Sequence, residues 1–413
     1  MGIGKGSELL NSFGDNAVKK GIRLDRLGSE GIARVGVDAT SWLVIVHRTL
    51  EDHQKKNYEL HANLFMEYCR KRIDVLKQNG LIPTMVFDGN ATPLKTHIKE
   101  LRKAIESENN NNNNKNNTNE IRDPDSDISG SDSDSDVNVH SDNEPVDDKL
   151  RYKWPKDRYI PNRSRWLTEE MEVEFFVAPY EADAQSTHLA SKKIIDAVIN
   201  KDTDLIAFGC KKIIYNINFE KETCDYYSFD RLKEVNIGYK DFSQKKLLEM
   251  AIMIGCDYLP NLAGIGIRKA YDEIMEQKHY ENVIAWSKKK LVLSTGVGNK
   301  QDTTSRSEIL LYFQRAILAF TYQQVYNPES KTCERLSHMR YNNLQNDVVR
   351  DISKFLGPRL KDESVHDIAM GGRPSKLVKI DVDNRPQQYP GETRKFGQNS
   401  LERFFGNKKS RKE

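Results

Sequence analysis

The stretch ARVGVDA, residues 33–39, sets two valines around a glycine and closes on an aspartate. A short β-branched apolar run that ends in a turn-forming acid reads as a strand buried on both faces. Three more runs share the pattern and end in an acid or a proline: PTMVFDG (83–89), EFFVAP (174–179) and DAVINKD (196–202). Helical patterns lie between them. One runs from about Leu60 to Gln78 and stops at Asn79-Gly80, a helix-ending pair. Strands that alternate with helices predict an α/β fold, a mostly parallel central sheet flanked by helices. Such a sheet takes its ligands beyond the carboxyl ends of its strands, where Asp38, Asp88, Asp202 and Asp204 fall. From Phe242 to Phe320 the pattern is mainly helical, so an all-α region is expected to cap the sheet.

Composition limits the classes open to the 413-residue chain. Hydrophobic residues make up 37% and charged residues 30%, too polar for the whole chain to be packed. No apolar run is long enough to cross a bilayer, and the N-terminus has no charged-then-apolar leader pattern. Cys69, Cys210, Cys224, Cys256 and Cys333 form no CxxC pair, which argues against a zinc site and for reduced thiols in an intracellular compartment. The net charge of +3 conceals an uneven distribution. Residues 123–148 hold ten acids and no Lys or Arg, which leaves +13 on the remainder. A basic body points to a polyanionic partner, nucleic acid first. Residues 106–148 are Asn-rich and then Ser-Asp-rich, unable to bury enough apolar area to order themselves. The expected organisation is therefore 1–105 and 149–240 as two parts of one α/β unit, 106–148 as a disordered insert, 241–375 as the helical region and 376–413 as a flexible tail.

A single aspartate at a strand end is usually a cap or a turn residue. Several at one sheet edge repel each other and raise each other's pKa, a cost that hard divalent cations with oxygen ligands offset. Glu181 and Asp183 in APYEADAQ (178–185) form one pair two residues apart, and Asp202 and Asp204 in KDTDLIAFG (201–209) form another. Two metals roughly 4 Å apart can stabilise the attacking and leaving oxygens of a phosphodiester displacement. No Cys or Ser nucleophile motif, HExxH or P-loop suggests other chemistry.

With VGVDATSW (35–42), VFDG (86–89) and IGCDYLPNLAGIGIRKA (254–270), these motifs resemble the structure-specific 5′ nuclease superfamily of flap endonuclease and exonuclease one, over about 30–105 and 150–375. FTYQQVYNP (320–328) and FLGPRLKDESVHDIAMGGRPS (355–375) resemble the exonuclease-one branch. The resemblance implies a PIN-like nuclease fold with a helix-two-turn-helix, and a metal-dependent 5′→3′ exonuclease with flap activity in DNA repair, replication or recombination. It assigns seven metal-site carboxylates, Asp38, Asp88, Glu181, Asp183, Asp202, Asp204 and Asp257, to two Mg²⁺ ions, with Mn²⁺ possible. It gives Lys95 and Arg102 the scissile phosphate, and places DNA contacts at Gly2, Gly264, Gly266 and Lys269, with a K⁺ ion at the 264–270 loop. It further implies a monomer working in the nucleus. Gln398, Leu401, Phe404 and Phe405 in QNSLERFF (398–405) fit the box that docks on a sliding clamp, PCNA.

The chain also departs from the family. Lys5 stands where the family has Gly, and Val44 stands where it has a stacking Tyr or His; His47, one turn on, is the candidate substitute. The acidic run falls in the family's helical arch, ahead of the basic and aromatic segment 149–166. Three rival readings are a flap endonuclease that chiefly processes replication flaps, an RNA-directed relative, and a catalytically silent clamp- and DNA-binding scaffold.

Overall fold

Val35 and Val37 are fully buried, and the strand that carries them lies at the centre of a seven-stranded sheet. The computed structural model describes residues 6–50, 58–100, 170–232, 242–259, 262, 264–277, 279–286, 306–336, 339, 341 and 344–371. The strands are β1 (Val18–Arg23), β2 (Arg34–Asp38), β3 (Ile82–Phe87), β4 (Glu174–Val177), β5 (Ala197–Ile199), β6 (Lys212–Asn218) and β7 (Thr223–Ser228). Their spatial order is β1-β7-β6-β5-β2-β3-β4. From β6 to β4 every pairing is parallel, and β7 and β1 extend one edge in antiparallel fashion. The four strands expected from the apolar runs are thus β2, β3, β4 and β5. The chain passes from β2 to β3 and β4 on one side, then returns to β5 on the other. The switch between β2 and β5 is where a parallel sheet opens a crevice for ligands.

Side-chain alternation gives the sheet two apolar faces. Val86, Phe176, Val198 and Ile213 join one buried cluster, whereas Val37, Met85, Phe87, Val177 and Ile199 join another. The first face packs helix α1 (Gly6–Ser12) and the later helices; the second packs α2 (Ala39–Arg48) and α3 (Tyr58–Gln78) through Trp42, Val46, Phe65, Cys69, Ile73 and Leu76. α3 ends as its sequence predicts. Gly80 takes φ +76°, Leu81 N–H donates to the Leu76 carbonyl at 2.9 Å, and Gly80 N–H donates to Lys77 at 3.0 Å, which together close the last turn.

Six more helices matter for the site. They are α4 (93–100), α5 (Ala182–Ser191), α6 (Asp204–Phe208), α7 (Gln244–Ile254), α8 (Ile267–Gln277) and α9 (Tyr280–Trp286). α10 (Arg306–Thr321) is buried from Tyr312 to its end and leads into a hairpin, β8 (Gln324–Asn327) with β9 (Thr332–Arg335). α11 (Asp362–Ala369) packs on that hairpin. The helical reading holds for 242–320 among the described residues, but the hairpin corrects the expectation of an all-α region to 375. Its four-residue strands are too short to show a period. No described helix is long and apolar enough to cross a membrane.

Candidate active site

Each candidate acid reaches the sheet edge for a local reason. Asp38 is the last residue of β2 and the N-cap of α2, where its Oδ1 accepts Ser41 N–H at 3.0 Å. Asp88 follows β3 by one residue. Its Oδ1 accepts the Ala182 N–H at 2.8 Å, and its own N–H donates to Thr40 Oγ1 at 2.8 Å, so one residue ties β3 to the starts of α5 and α2. Segment 178–180 crosses directly over Gly89: Gly89 N–H donates to the Tyr180 carbonyl at 2.7 Å, and a Cβ there would overlap the Ala178 carbonyl oxygen. That is why VFDG ends in glycine.

A relay of side chains orders the next three acids. Asn200 Nδ2 donates to Asp183 Oδ1 at 2.7 Å, and Asn200 Oδ1 accepts Asp202 N–H at 3.0 Å. Asp202 Oδ1 then accepts Asp204 N–H at 3.1 Å. Asp257 lies in the turn after α7, which a mutual backbone pair between Cys256 and Leu259 fixes.

Glu181 is 7% exposed and surrounded by donors. Its Oε1 accepts Tyr258 Oη at 2.6 Å, Gln323 Nε2 at 3.2 Å and Thr92 Oγ1 at 3.4 Å. Its Oε2 accepts Lys95 Nζ at 2.7 Å, and the same ammonium lies 3.0 Å from Asp257 Oδ2. Burial works against the Lys95 charge, but Glu181 and Asp257 outweigh it and hold the ammonium well above its ordinary range.

The other acids are poorly compensated. Burial first, then Asp88, pushes Asp38 up to about 7 despite the Ser41 N–H. Burial and Asp257 push Asp202 up to about 6. Asp183 and Asp204 are held well above the usual carboxylate range by burial and by Asp202. Asp204 is 2% exposed, and its Oδ1 has no hydrogen-bond partner among the described residues. Among the described residues no three such groups close into a ready chelate. Oxygen donors alone, several of them buried, with one carboxylate oxygen unpartnered, suit hard divalent cations.

The second candidate region is the turn between α7 and α8. Gly264 takes φ +74°, Lys269 Nζ lies 3.5 Å from the Gly264 carbonyl, and Arg268 and Lys269 are exposed. Val44 and His47 are both half-buried on α2. Gly2, Lys5, Arg102, the 106–148 insert, the 149–166 segment and the clamp box at Gln398, Leu401, Phe404 and Phe405 lie outside the described residues.

The sequence reading passed over Thr40, Thr92, Asn200, Tyr258 and Gln323. Four of them lie within a few residues of a candidate acid and were legible as its neighbours. Gln323 carried no such signal, since it lies 142 residues from the carboxylate it bonds.

Comparison with known proteins agrees with this geometry. Residues 1–109 match the XPG N-terminal domain, and residues 172–257 match the XPG I-region. Exonuclease 1 of Arabidopsis thaliana is 30% identical over 87% of this chain and 45% of that protein. Exonuclease 1 of Oryza sativa subsp. japonica is 30% identical over 82% of this chain and 36% of that protein. The chain thus spans less than half the length of these two relatives. Among solved structures, the catalytic core of Rad2 in complex with DNA substrate superposes with a TM-score of 0.50 at 18% identity, covering 89% of this chain and 98% of that one, a likeness of fold. With both domain models matched in order around the acid-bearing sheet edge, the chain belongs to the structure-specific 5′ nuclease superfamily, on its exonuclease-one branch.

Proposed function

We propose that the chain is a divalent-metal-dependent DNA nuclease, a 5′→3′ exonuclease that also cuts 5′ flaps in repair, replication or recombination. The observation that carries this reading is the set of raised carboxylates Asp38, Asp183, Asp202 and Asp204 beyond the carboxyl ends of β2, β4 and β5, with Lys95 bridging Glu181 and Asp257. Relatives named Exonuclease 1, and the Rad2 core solved with DNA substrate, support it.

Asp38, Asp88, Glu181, Asp183, Asp202, Asp204 and Asp257 would hold two Mg²⁺ ions, with Mn²⁺ as the alternative. Such cations supply an activated water and charge neutralisation at the reacting phosphate. The chain's own groups do the rest. Lys95 has three N–H donors, two of them facing Glu181 and Asp257, which leaves one for a phosphate oxygen. Arg102 is its proposed partner. Lys95→Met is expected to slow turnover about 10²- to 10³-fold, as for other groups that stabilise developing charge.

The 264–270 turn would hold duplex DNA through its backbone, with Gly264, Gly266 and Lys269 against phosphates, and Gly2 near the cut. Sequence preference should then be slight and salt dependence steep. K⁺ at this turn, which the family resemblance implies, belongs to the proposal. So do docking on a sliding clamp through Gln398, Leu401, Phe404 and Phe405, a monomeric state and a nuclear place of work. The direct test compares end-labelled 5′-flap, recessed and nicked duplexes with Mg²⁺ and with chelator. Cleavage from 5′ ends in Mg²⁺ alone is expected; metal-independent cleavage, or none, would overturn the reading.

A further inference from the structure

The segment TYQQVYN (321–327) leaves α10 and enters the hairpin, far in sequence from every acid of the site. Its side chains are nonetheless spent on the active-site edge. Gln323 Nε2 donates to Glu181 Oε1 at 3.2 Å and to Tyr258 Oη at 2.8 Å. Gln324 turns the other way, accepting Leu360 N–H at 2.7 Å and donating to the Pro358 carbonyl at 2.8 Å. Tyr326 exchanges two backbone bonds with the Gln185 amide of α5, at 2.7 and 2.8 Å. The hairpin therefore braces the helix that carries Asp183 and reaches past it to Glu181.

Gln323 has no exposed surface, and its Oε1 has no hydrogen-bond partner among the described residues. Stability alone gives no reason for this choice. A buried amide with an unsatisfied oxygen costs free energy, and an apolar side chain of similar volume would be neutral or better. What the amide provides is two donors aimed at one carboxylate–phenol pair. Tyr258, also without exposed surface, gives Glu181 the shortest of its bonds, at 2.6 Å.

We propose that Gln323, acting with Tyr258, is a positioning residue. The pair fixes the rotamer of Glu181, so that the carboxylate meets both Lys95 and an incoming divalent cation in one orientation. This rests on the nuclease reading above. Outer-shell partners of metal-ligating carboxylates typically matter 10- to 100-fold for affinity or activity.

The test uses the full chain with Gln323→Met and, as a second variant that deletes a single oxygen, Tyr258→Phe. Three quantities are read for each: the thermal midpoint in chelator, the rise of that midpoint with added Mg²⁺, and KM and kcat on a 5′-recessed duplex. In chelator Gln323→Met should unfold at or above the temperature of the unmutated protein. The Mg²⁺ concentration that gives half the thermal rise should increase roughly 10-fold, and kcat should fall 10- to 100-fold with KM changed less than about twofold. The double variant should lose less than the product of the single losses, because both bonds end on one oxygen. An unchanged Mg²⁺ midpoint and kcat in both single variants would overturn the proposal. If Gln323→Met alone fails to fold, Tyr258→Phe decides by the same readings. A failure of the unmutated protein to respond to Mg²⁺ at all would overturn the nuclease reading itself, and this proposal with it.

Discussion

Glu249 and Asp204 of the sheet edge are buried carboxylates of one molecule, kept in opposite ways. Glu249 sits alone on α7, 2% exposed. Its Oε2 accepts the Tyr280 N–H at 3.1 Å, His279 Nε2 lies 4.0 Å from Oε1, and Tyr341 and Lys245 favour its charged form while Glu281 weakly opposes it. Burial pushes it up to about 7 against those partners, so near neutrality it can keep its proton and serve as a hydrogen-bonded strut. At the sheet edge the acids raise one another, and among the described residues Asp204 leaves an oxygen unpartnered. A lone buried acid is explained by its hydrogen bonds. A cluster of them, at the switch point of a parallel sheet, is destabilising until cations arrive.

The contrast breaks most sharply under substitution at the edge. Asp204→Asn is expected to reduce cleavage by more than about a hundredfold, because even outer-shell partners are worth 10- to 100-fold. In chelator the same variant should unfold at a higher temperature, since a mutually repelling charge has gone. A lower midpoint in chelator would mean that Asp204 is architectural, like Glu249.

Proton linkage gives the next effect. Asp38 and Asp202 are raised from 3.8 to about 7 and about 6, so the unfolded chain releases these protons first. Their contribution to stability is fully present below about pH 4 and is lost as pH rises through 6 to 7. In chelator the thermal midpoint should therefore fall over that window. Mg²⁺ binds the ionised forms, so the rise it causes should grow across the same window. A Mg²⁺ effect that is flat between pH 5.5 and 7.5 would detach the cations from these acids.

Glu249→Gln should behave differently. Its own linkage runs from 4.5 to about 7, with stability lost as pH rises. The variant should flatten that part of the slope and leave cleavage and its Mg²⁺ dependence unchanged. A loss of cleavage would move Glu249 into the site. The smallest effect is expected at His47. His47→Ala should slow cleavage of a 5′-recessed duplex a few-fold if the ring replaces the stacking residue that Val44 cannot be. Unchanged cleavage would remove that role.

The difference between the two regions also explains what could be read in advance. VGVD, MVFDG, EFFV and AVI announced their strands because central parallel strands are buried on both faces and so form continuous apolar runs. Their acids were visible because each run ends on one or, after EFFVAP, meets one two residues later. β1 was not legible. VKKGIR is an edge strand that alternates only roughly between buried and exposed positions, so no period marks it. The hairpin hid for another reason: QVYN is buried throughout and TCER half-buried, and four residues cannot show a period. Lys95 was singled out by the family resemblance, yet its double ion pair was not legible, because α4 and the Asp257 turn meet only in three dimensions. Gln323 was quoted merely as part of a branch-like segment. A glutamine's reach to a carboxylate 142 residues away leaves no trace in spacing.

The central claim is that the sheet-edge acids hold divalent cations for cutting DNA. It is tested most directly by running the unmutated protein and Asp202→Asn together on an end-labelled 5′-flap duplex, measuring binding and cleavage on the same samples in Mg²⁺ and in chelator. The unmutated protein should cut only in Mg²⁺. Asp202→Asn should bind the duplex within about twofold of it and lose cleavage by more than about a hundredfold. Binding without metal-dependent cleavage by the unmutated protein would contradict the account and leave a DNA-binding scaffold in its place.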